Sequence, residues 1–258
     1  MNESTEPFFA ADSAARRVCR ERAILLFAPR VVLLQYAHPA FAAASSVYSA
    51  RDSAPGARFI RAATTLSSMV FGDRANADRH AGRVRRKHDH LNGPGWSASD
   101  PAALAWIYIT LLDGVLSGAD LVRGRRDETL ETAFFGDARR FGALFDVAEH
   151  DIPASRAALN DAITNAVRHT LRVGDETKAM WTFLTMPSGP SWGEGLRAGF
   201  LARWSATTLP EPMAEALGVS SLRSPKLAAV VRGLGPLGRL LPKKRRFVSD
   251  ALSRTLLR

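Results

Sequence analysis

Two histidines stand one residue apart in the segment "RVRRKHDHLNG", residues 83–93, the most basic stretch in the first half of the chain. Histidine is a common metal ligand, and clustered arginines bind phosphate groups of nucleic acids. The segment is therefore compatible with a metal clamp, a nucleic-acid patch or a single histidine that meets a buried cofactor.

Helical phase separates the two histidines. Apolar residues recur here at steps of four and three, and His88 falls on that stripe, which consists of Ala77, Ala81, Val84, His88 and Leu91. His90 is turned roughly 200° away, onto the polar side. A helical His-x-His pair cannot hold one metal ion from one face, and the four-residue spacing of a helical zinc pair is missing.

The metal clamp is thereby excluded, and two interpretations of His88 remain. A buried histidine on an apolar stripe is usually a core residue that bonds a carbonyl or a carboxylate. It can also be an axial cofactor ligand, because haem iron needs only one proximal imidazole and arginines can pair with the propionates.

The rest of the chain predicts one helix after another, and long strand-like alternations are absent. We predict an all-α fold, a single globular helical domain with roughly ten helices. The predicted organisation is a frayed N-terminus at 1–10, a helical domain at 11–222 and a basic helical C-terminal appendage at 223–258. The expected helices start near Asp12, Pro29, Arg58, Asp73 and Pro101, with Asp12, Asp73 and Asp100 as expected N-caps, and then cover about 127–146, 154–172, 175–186, 191–208 and 211–217.

A proline interrupts the apolar helix that begins at Pro29. Pro39 has no N–H for the carbonyl of Gln35, so we expect a kink and a carbonyl that needs another partner. The adjacent His38 either bonds a freed carbonyl or lines a pocket.

Composition narrows the function. The chain has 258 residues and a formal charge of +10, but no helix-turn-helix, zinc-finger or aromatic-interleaved basic pattern accompanies the charge, so we predict no nucleic-acid role.

The single cysteine, Cys19, cannot form an intrachain disulfide, and no convincing secretory signal is present, which favours a soluble, cytoplasmic protein. The C-terminal "LLPKKRRFVSDALSRTLLR" is either a tail docked on its own domain, which we favour, or a peripheral contact with an anionic membrane.

Three ordered motifs carry a family resemblance. They are "LLQYAHPAFAAAS", "RFIRAATTLSSMVFGDRANADRHAGRVRRKHDHLNG" and "DPAALAWIYITLLDG", within residues 30–118, and looser similarity in "FFGDARRFGALFDV" and "DIPASRAALNDAI" extends toward 165. This succession resembles the MpaB/rubber-oxygenase family, which includes the latex clearing proteins. The resemblance implies an all-helical fold of the rubber-oxygenase type, a b-type haem cofactor and dioxygen as co-substrate, with isoprenoid double bonds as the target of the best-known members.

The resemblance also assigns roles to single histidines. The family histidine, followed three residues later by an aliphatic residue and five later by glycine, matches His88, which implies that His88 is the proximal iron ligand. The family "AHP" element matches Ala37, His38 and Pro39, so His38 is a candidate at the haem edge beside its structural alternative. Arg85 is a candidate partner for a propionate.

An Arg-x-x-x-Thr element near the distal side of the haem can be placed in two registers. Arg61 and Thr65 have the spacing, whereas counting back from Phe71 and Gly72 aligns Arg58 with Ala62 and loses the threonine. We keep Arg61, Thr65 and Arg58 as catalytic candidates, with Arg61 also a candidate for cofactor binding. The latex-cleaving members carry a glutamate upstream of this arginine, and this chain has no acid between Glu21 and Asp52.

Two further predictions concern the apolar helix after Pro101. Its aromatic and aliphatic residues are expected to be core rather than a substrate cavity; they are Trp106, Tyr108, Ile109 and Leu112. Asp113, a carboxylate in this apolar run, is expected to form a structural ion pair.

The functional prediction is a haem b-dependent oxygenase that acts with dioxygen on a hydrophobic substrate, with isoprenoid and aromatic compounds as candidates. The alternative is a non-catalytic helical binding or scaffold protein that keeps the family fold, and the missing glutamate supports it.

Overall fold

The computed structural model describes residues 6–49, 55–186 and 191–247. The fold is all-α, as predicted, and the described residues add one short β-hairpin whose two strands have two residues each. The helices are α1 Ala14–Cys19, α2 Ala28–Tyr36, α3 Pro39–Ser49, α4 Pro55–Phe71, α5 Arg74–Asp89, α6 Pro101–Arg123, α7 Glu128–Gly142, α8 Arg156–His169, α9 Asp175–Thr185, α10 Trp192–Thr208, α11 Glu211–Ala216, α12 Pro225–Leu234 and α13 Lys243–Arg246, and the hairpin strands are β1 Asn92–Gly93 and β2 Trp96–Ser97.

Local capping chemistry sets several helix starts. The side chain of Asp73 accepts a hydrogen bond from the backbone N–H of Asn76 at 2.7 Å, and Asp100 accepts one from Ala103 at 2.9 Å. Each carboxylate thereby satisfies a free amide of the first helical turn. Both caps were predicted, whereas α1 begins one residue later than expected and is capped by Ser13.

Helix α6 forms the centre of the core. The 3-10 helix Arg22–Phe27, α2, α7 and α8 pack against it, and glycine lets one of these contacts be very close: a Cβ on Gly118 would lie 2.5 Å from the backbone of Ile24. By length and composition α6 could also cross a membrane, but 61% of its most apolar 18-residue window is buried inside the protein. That burial is typical of the core helix of a soluble protein.

The proline break is sharper than a kink. The segment that ends with α2 and the first part of α3 meet at 92°, and His38 and Pro39 form the elbow. The carbonyl of Gln35, to which Pro39 cannot donate, accepts the backbone N–H of His38 at 3.0 Å. The next two carbonyls find partners on a neighbouring element: the hydroxyl of Thr177 donates to Tyr36 O at 3.0 Å, and the N–H of Arg172 donates to Ala37 O at 2.8 Å. The elbow is therefore held from the side by α9 and the loop before it.

The chain before α1 corrects one prediction. Phe8 and Phe9 are 7% and 1% exposed and pack against Phe141, so these two residues of the predicted frayed segment belong to the core. Burial of two aromatic rings outweighs the entropy that fraying would gain.

The C-terminal segment is docked on the body of the domain. Arg246 forms two hydrogen bonds, of 2.6 and 2.8 Å, with the carboxylate of Glu21, and Arg239 donates to Val122 O at 3.0 Å. Up to residue 247, then, the predicted appendage shares an interface with the core.

The β-hairpin was not predicted. It follows α5 directly, where the sequence "NGPG" indicated only a helix end and a loop, and its residues pair Asn92 with Ser97 and Gly93 with Trp96. The predicted loop 49–58 is also shorter than expected, because α4 begins at Pro55; residues 50–54 lie outside the described part of the chain.

Candidate functional site

Helix α5 places the two histidines as the phase argument predicts. The stripe is fully buried at Ala77 and Ala81, half-buried at Val84 and His88, and His90 is exposed. Burial decreases along the stripe, so its C-terminal end is partly accessible from outside the core.

The environment of His88 favours an uncharged ring. Burial lowers the pKa of His88 below its usual value of 6.5, and the neighbouring carboxylate of Asp89 opposes that shift more weakly. The neutral imidazole, which is the form that binds a metal ion, is therefore the main species at neutral pH.

The hairpin connects this end of α5 to the elbow. The N–H of Leu91 donates to His88 O, and the N–H of Ala98 donates to Leu91 O, both at 2.8 Å, which folds the chain back beyond the helix end. Strand β2 packs against α3, the helix that starts immediately after His38. His88 and His38 therefore belong to elements on the two sides of one short hairpin.

His38 is a buried polar residue with an unsatisfied atom. Its side chain is in the core, at 9% exposure of the residue, and Nδ1 has no hydrogen-bond partner. Nδ1 does not bond the carbonyl freed by Pro39, because Gln35 O accepts the backbone N–H of His38 instead. Burial also lowers the pKa of His38, and the carboxylate of Asp100 opposes this effect.

The ring of His38 is held against Trp106 of α6. The two rings stack with centroids 6.4 Å apart and planes 23° apart, and Trp106 Nε1 donates to Leu34 O at 3.0 Å. The indole thus fixes one face of the imidazole and leaves its nitrogen free to bind something else.

Helix α4 carries the predicted Arg-x-x-x-Thr element and packs against α5. The backbone of Arg58 and Arg61 lies in α4, but their side chains lie outside the described part of the chain, so their roles and the register stay predictions. Thr65 is half-buried. The residue before it, Thr64, has a buried Oγ1 without a hydrogen-bond partner, which sequence reasoning did not single out.

Arg85 faces away from the elbow, toward the end of α7. Its Nη1 donates to Leu144 O at 2.6 Å, and its Nε lies 3.7 Å from the carboxylate of Asp146. The side chain is 43% exposed, and its role toward a propionate stays a prediction.

The apolar run of α6 is core, as predicted. Trp106, Tyr108 and Leu112 are buried, Ile109 is half-buried, and the Tyr108 hydroxyl donates to Ala138 O at 2.6 Å.

The carboxylate within that run also matches its prediction. Asp113 accepts a 2.7 Å hydrogen bond from Arg30, whose guanidinium also donates to Thr208 O. This pair ties α2 to α6 and to the end of α10, so it is structural.

Two surface clefts lie on other parts of the molecule. One, of about 440 Å³, is lined by residues of α8 and of the 209–212 segment together with Arg30 and Arg223, and the other, of about 570 Å³, is next to Arg139 and His150. Over residues 6–49, 55–186 and 191–247, no group of three or more His, Cys, Asp or Glu side chains is arranged to hold a metal ion.

Comparison with known families places the chain. Residues 16–240 match the family described as ER-bound oxygenase mpaB/B′/Rubber oxygenase, catalytic domain. This chain belongs to the mpaB/rubber oxygenase family. The match covers the elbow, α4, α5 and the hairpin, and it continues past residue 222, where we had placed a boundary. Comparison with curated proteins and with solved structures gives no match.

Membership of the mpaB/rubber oxygenase family confirms the resemblance seen in the sequence motifs. It indicates an oxygenase-type catalytic domain. The cofactor, the co-substrate and the substrate are matters for proposal.

Proposed function

We propose that this member of the mpaB/rubber oxygenase family is a haem b-dependent oxygenase that acts with dioxygen on a hydrophobic substrate, with His88 as the proximal iron ligand. The observation that carries the proposal is the half-buried imidazole of His88, which lies on the apolar stripe of α5 and which burial keeps neutral.

The residues present fit a haem better than a metal ion held by protein side chains alone. A catalytic zinc ion needs three protein ligands, whereas haem iron needs one imidazole. Within the described residues the structure offers separate histidines and no three-ligand cluster.

Two buried polar atoms add support. Buried polar groups in native proteins normally have partners, so an unsatisfied one calls for an explanation such as a ligand. Among the described residues five buried side-chain atoms lack a partner, and two of them lie on elements of the proposed site: His38 Nδ1 at the elbow and Thr64 Oγ1 on α4, which packs against α5. A polar atom of a bound cofactor, or of a substrate beside it, would supply the hydrogen-bond partner that these two atoms lack.

The protein residues then have distinct tasks. A bound haem would supply the redox chemistry with dioxygen. His88 would hold the iron through its neutral ring, and the imidazole of His38, fixed by Trp106, would orient a polar atom in the pocket. Arg61 or Arg58 would bind a propionate or polarise the distal side.

The half-buried apolar side chains of α3 and α4 support a hydrophobic substrate. They include Phe41, Leu66 and Phe71, which pack at the edge of the core rather than inside it. Such side chains would exclude water and contact an apolar molecule through dispersion and desolvation.

A cytoplasmic location is proposed from the lone cysteine Cys19, whose thiol pKa is raised to about 12 by burial and by Asp137.

An absorption spectrum tests the proposal. The purified protein, produced with haem supplied, should show a Soret band that His88→Ala abolishes. His90→Ala is the matched control, because it removes an exposed histidine two residues away on the same helix end, and it should leave the band unchanged.

His38→Ala completes the set. It should keep the band and shift its position, because it changes the polarity of the pocket and not the axial ligand. Loss of the band in His38→Ala but not in His88→Ala would reverse the ligand assignment. A colourless wild-type protein would overturn the proposal and favour the non-catalytic alternative.

A further inference from the structure

The docked C-terminal segment, residues 225–247, has an unusual charge. It contains seven lysines and arginines and no aspartate or glutamate. Its inner side is fixed to the domain by Ala228, which is buried, and by the hydrogen bonds of Arg239 and Arg246. The outward side chains of this segment are therefore displayed on a fixed support.

The outward side is apolar. Five large aliphatic side chains along α12 and the 3-10 helix Gly235–Leu240 are about half exposed or more, and we call them the leucine surface: Val230 at 56%, Leu234 at 57%, Leu237 at 54%, Leu240 at 81% and Leu241 at 48%. Several large aliphatic side chains exposed within residues 230–241 of a folded protein indicate a binding surface.

Cations accompany the leucine surface. Lys226, Arg232, Lys243 and Arg245 are exposed, and none of them forms an ion pair with an acidic side chain in the part of the chain that the structure describes. Arg246 differs, because Glu21 neutralises it. The surface thus combines apolar side chains with uncompensated positive charge.

We propose that the leucine surface docks on an anionic phospholipid membrane. Aliphatic side chains enter the boundary between headgroups and acyl chains, while lysine and arginine pair with the lipid phosphates. Charge complementarity selects this occupant, since the whole segment lacks the acidic residues that would repel an anionic headgroup layer. Docking there would place a family oxygenase beside a source of apolar molecules.

Vesicle co-sedimentation of the full chain tests the proposal. Wild-type protein should bind vesicles with about 30% anionic phospholipid at least about tenfold more tightly than purely zwitterionic vesicles, and salt should weaken that binding. The double reversal Arg232→Glu and Arg245→Glu should remove most of the difference between the two lipid compositions.

The apolar contribution has a matched control. Leu234→Glu and Leu196→Glu change leucines that are both 57% exposed, but only Leu234 is on the leucine surface. Leu234→Glu should weaken binding to the anionic vesicles about tenfold or more, and Leu196→Glu should leave it within about twofold. Circular dichroism of both variants checks that they are folded.

Three outcomes would overturn the proposal. They are equal binding of wild-type protein to both vesicle types, equal losses in Leu234→Glu and Leu196→Glu, and binding to a nucleic-acid duplex but not to anionic vesicles. Deletion of residues 248–258 tests whether the end of the chain itself covers the leucine surface. If vesicles bind only the shortened protein, the tail and not lipid is the occupant, and the proposal is wrong.

Discussion

Two clusters of buried polar groups pack against helix α6, one at each half, and they differ in how their polar groups are paired. In the C-terminal half, Asp120 accepts a 2.8 Å hydrogen bond from Arg156, and the same guanidinium donates at 3.0 Å to Glu131 of α7. In the N-terminal half, Trp106 stacks on His38, whose Nδ1 has no partner.

The difference separates structure from function. The carboxylates of Asp120 and Glu131 obtain a counter-charge from Arg156, although burial still raises the pKa of Asp120 and Nε of Arg156 has no hydrogen-bond partner. An unpartnered imidazole beside a fixed indole has a cost in the folded state that the protein does not recover internally. We call the C-terminal half of α6 the paired half and assign it to the scaffold. We call the N-terminal half, which contacts His38, the unpaired half and assign it to the functional site.

Breaking the paired half should have the largest effect. Arg156→Met leaves two largely buried carboxylates facing each other, with side chains 25% and 9% exposed at Asp120 and Glu131. The free energy of unfolding, measured by urea denaturation, should fall by about 3–5 kcal/mol.

The matched control is the other arginine of this cluster. Arg126 also binds Glu131, at 2.8 Å, but its side chain is 56% exposed. Because solvent screens such a pair, Arg126→Met should cost only about 0–1 kcal/mol. Similar losses in the two variants would mean that burial does not set the strength of these pairs, and the contrast between the two halves of α6 would lose its basis.

Sequence predicted well what local chemistry decides. The caps at Asp73 and Asp100, the break at Pro39 and the inward phase of His88 follow from residues a few positions apart, and the structure confirms them. The ion pair of Asp113 was also expected, because a carboxylate in an apolar run requires a counter-charge.

Sequence failed where the partner is distant along the chain. Nothing local to Phe8 and Phe9 indicates that Phe141 will cover them, and nothing near the elbow indicates that Thr177 will bind Tyr36 O. Sequence also could not indicate that Thr64 Oγ1 lacks a hydrogen-bond partner, because that depends on which distant residues lie near it. The hairpin was missed although Pro94 and Gly95 form a turn-favouring pair, because the flanking residues show no strand alternation.

A second prediction compares two buried polar residues at the elbow itself. Thr177 is fully buried and bonds Tyr36 O, so Thr177→Val removes a satisfied hydrogen bond and should lower the free energy of unfolding by about 1–3 kcal/mol. His38→Phe keeps an aromatic ring against Trp106 and removes an atom that bonds nothing, so the change should stay within about 1 kcal/mol.

Denaturation of cofactor-free protein measures both elbow variants. A loss in His38→Phe as large as that in Thr177→Val would show that the imidazole contributes a stabilising interaction in the absence of any ligand. The unpaired half of α6 would then be scaffold as well.

The smallest expected effect is on the pH dependence of stability. Burial lowers the pKa of His38 in the folded protein below the value of 6.5 that it has when unfolded, so the unfolded chain binds the proton more tightly. The contribution of the neutral ring is therefore complete above pH 6.5 and is lost as the pH falls below it. Unfolding free energies at pH 7.5 and 5.5 should show that loss, within the linkage limit of about 1.4 kcal/mol per pH unit for one proton. His38→Phe should reduce this loss of stability but not abolish it, since burial also lowers the pKa of His88 and His80.

Glu131 responds at lower pH. Burial opposes the effect, but hydrogen bonds to Arg126 and Arg156 lower its pKa overall, so its contribution to stability is lost only below its usual pKa of 4.5. An unchanged slope between pH 7.5 and 5.5 in His38→Phe would show that His38 does not contribute to this pH dependence.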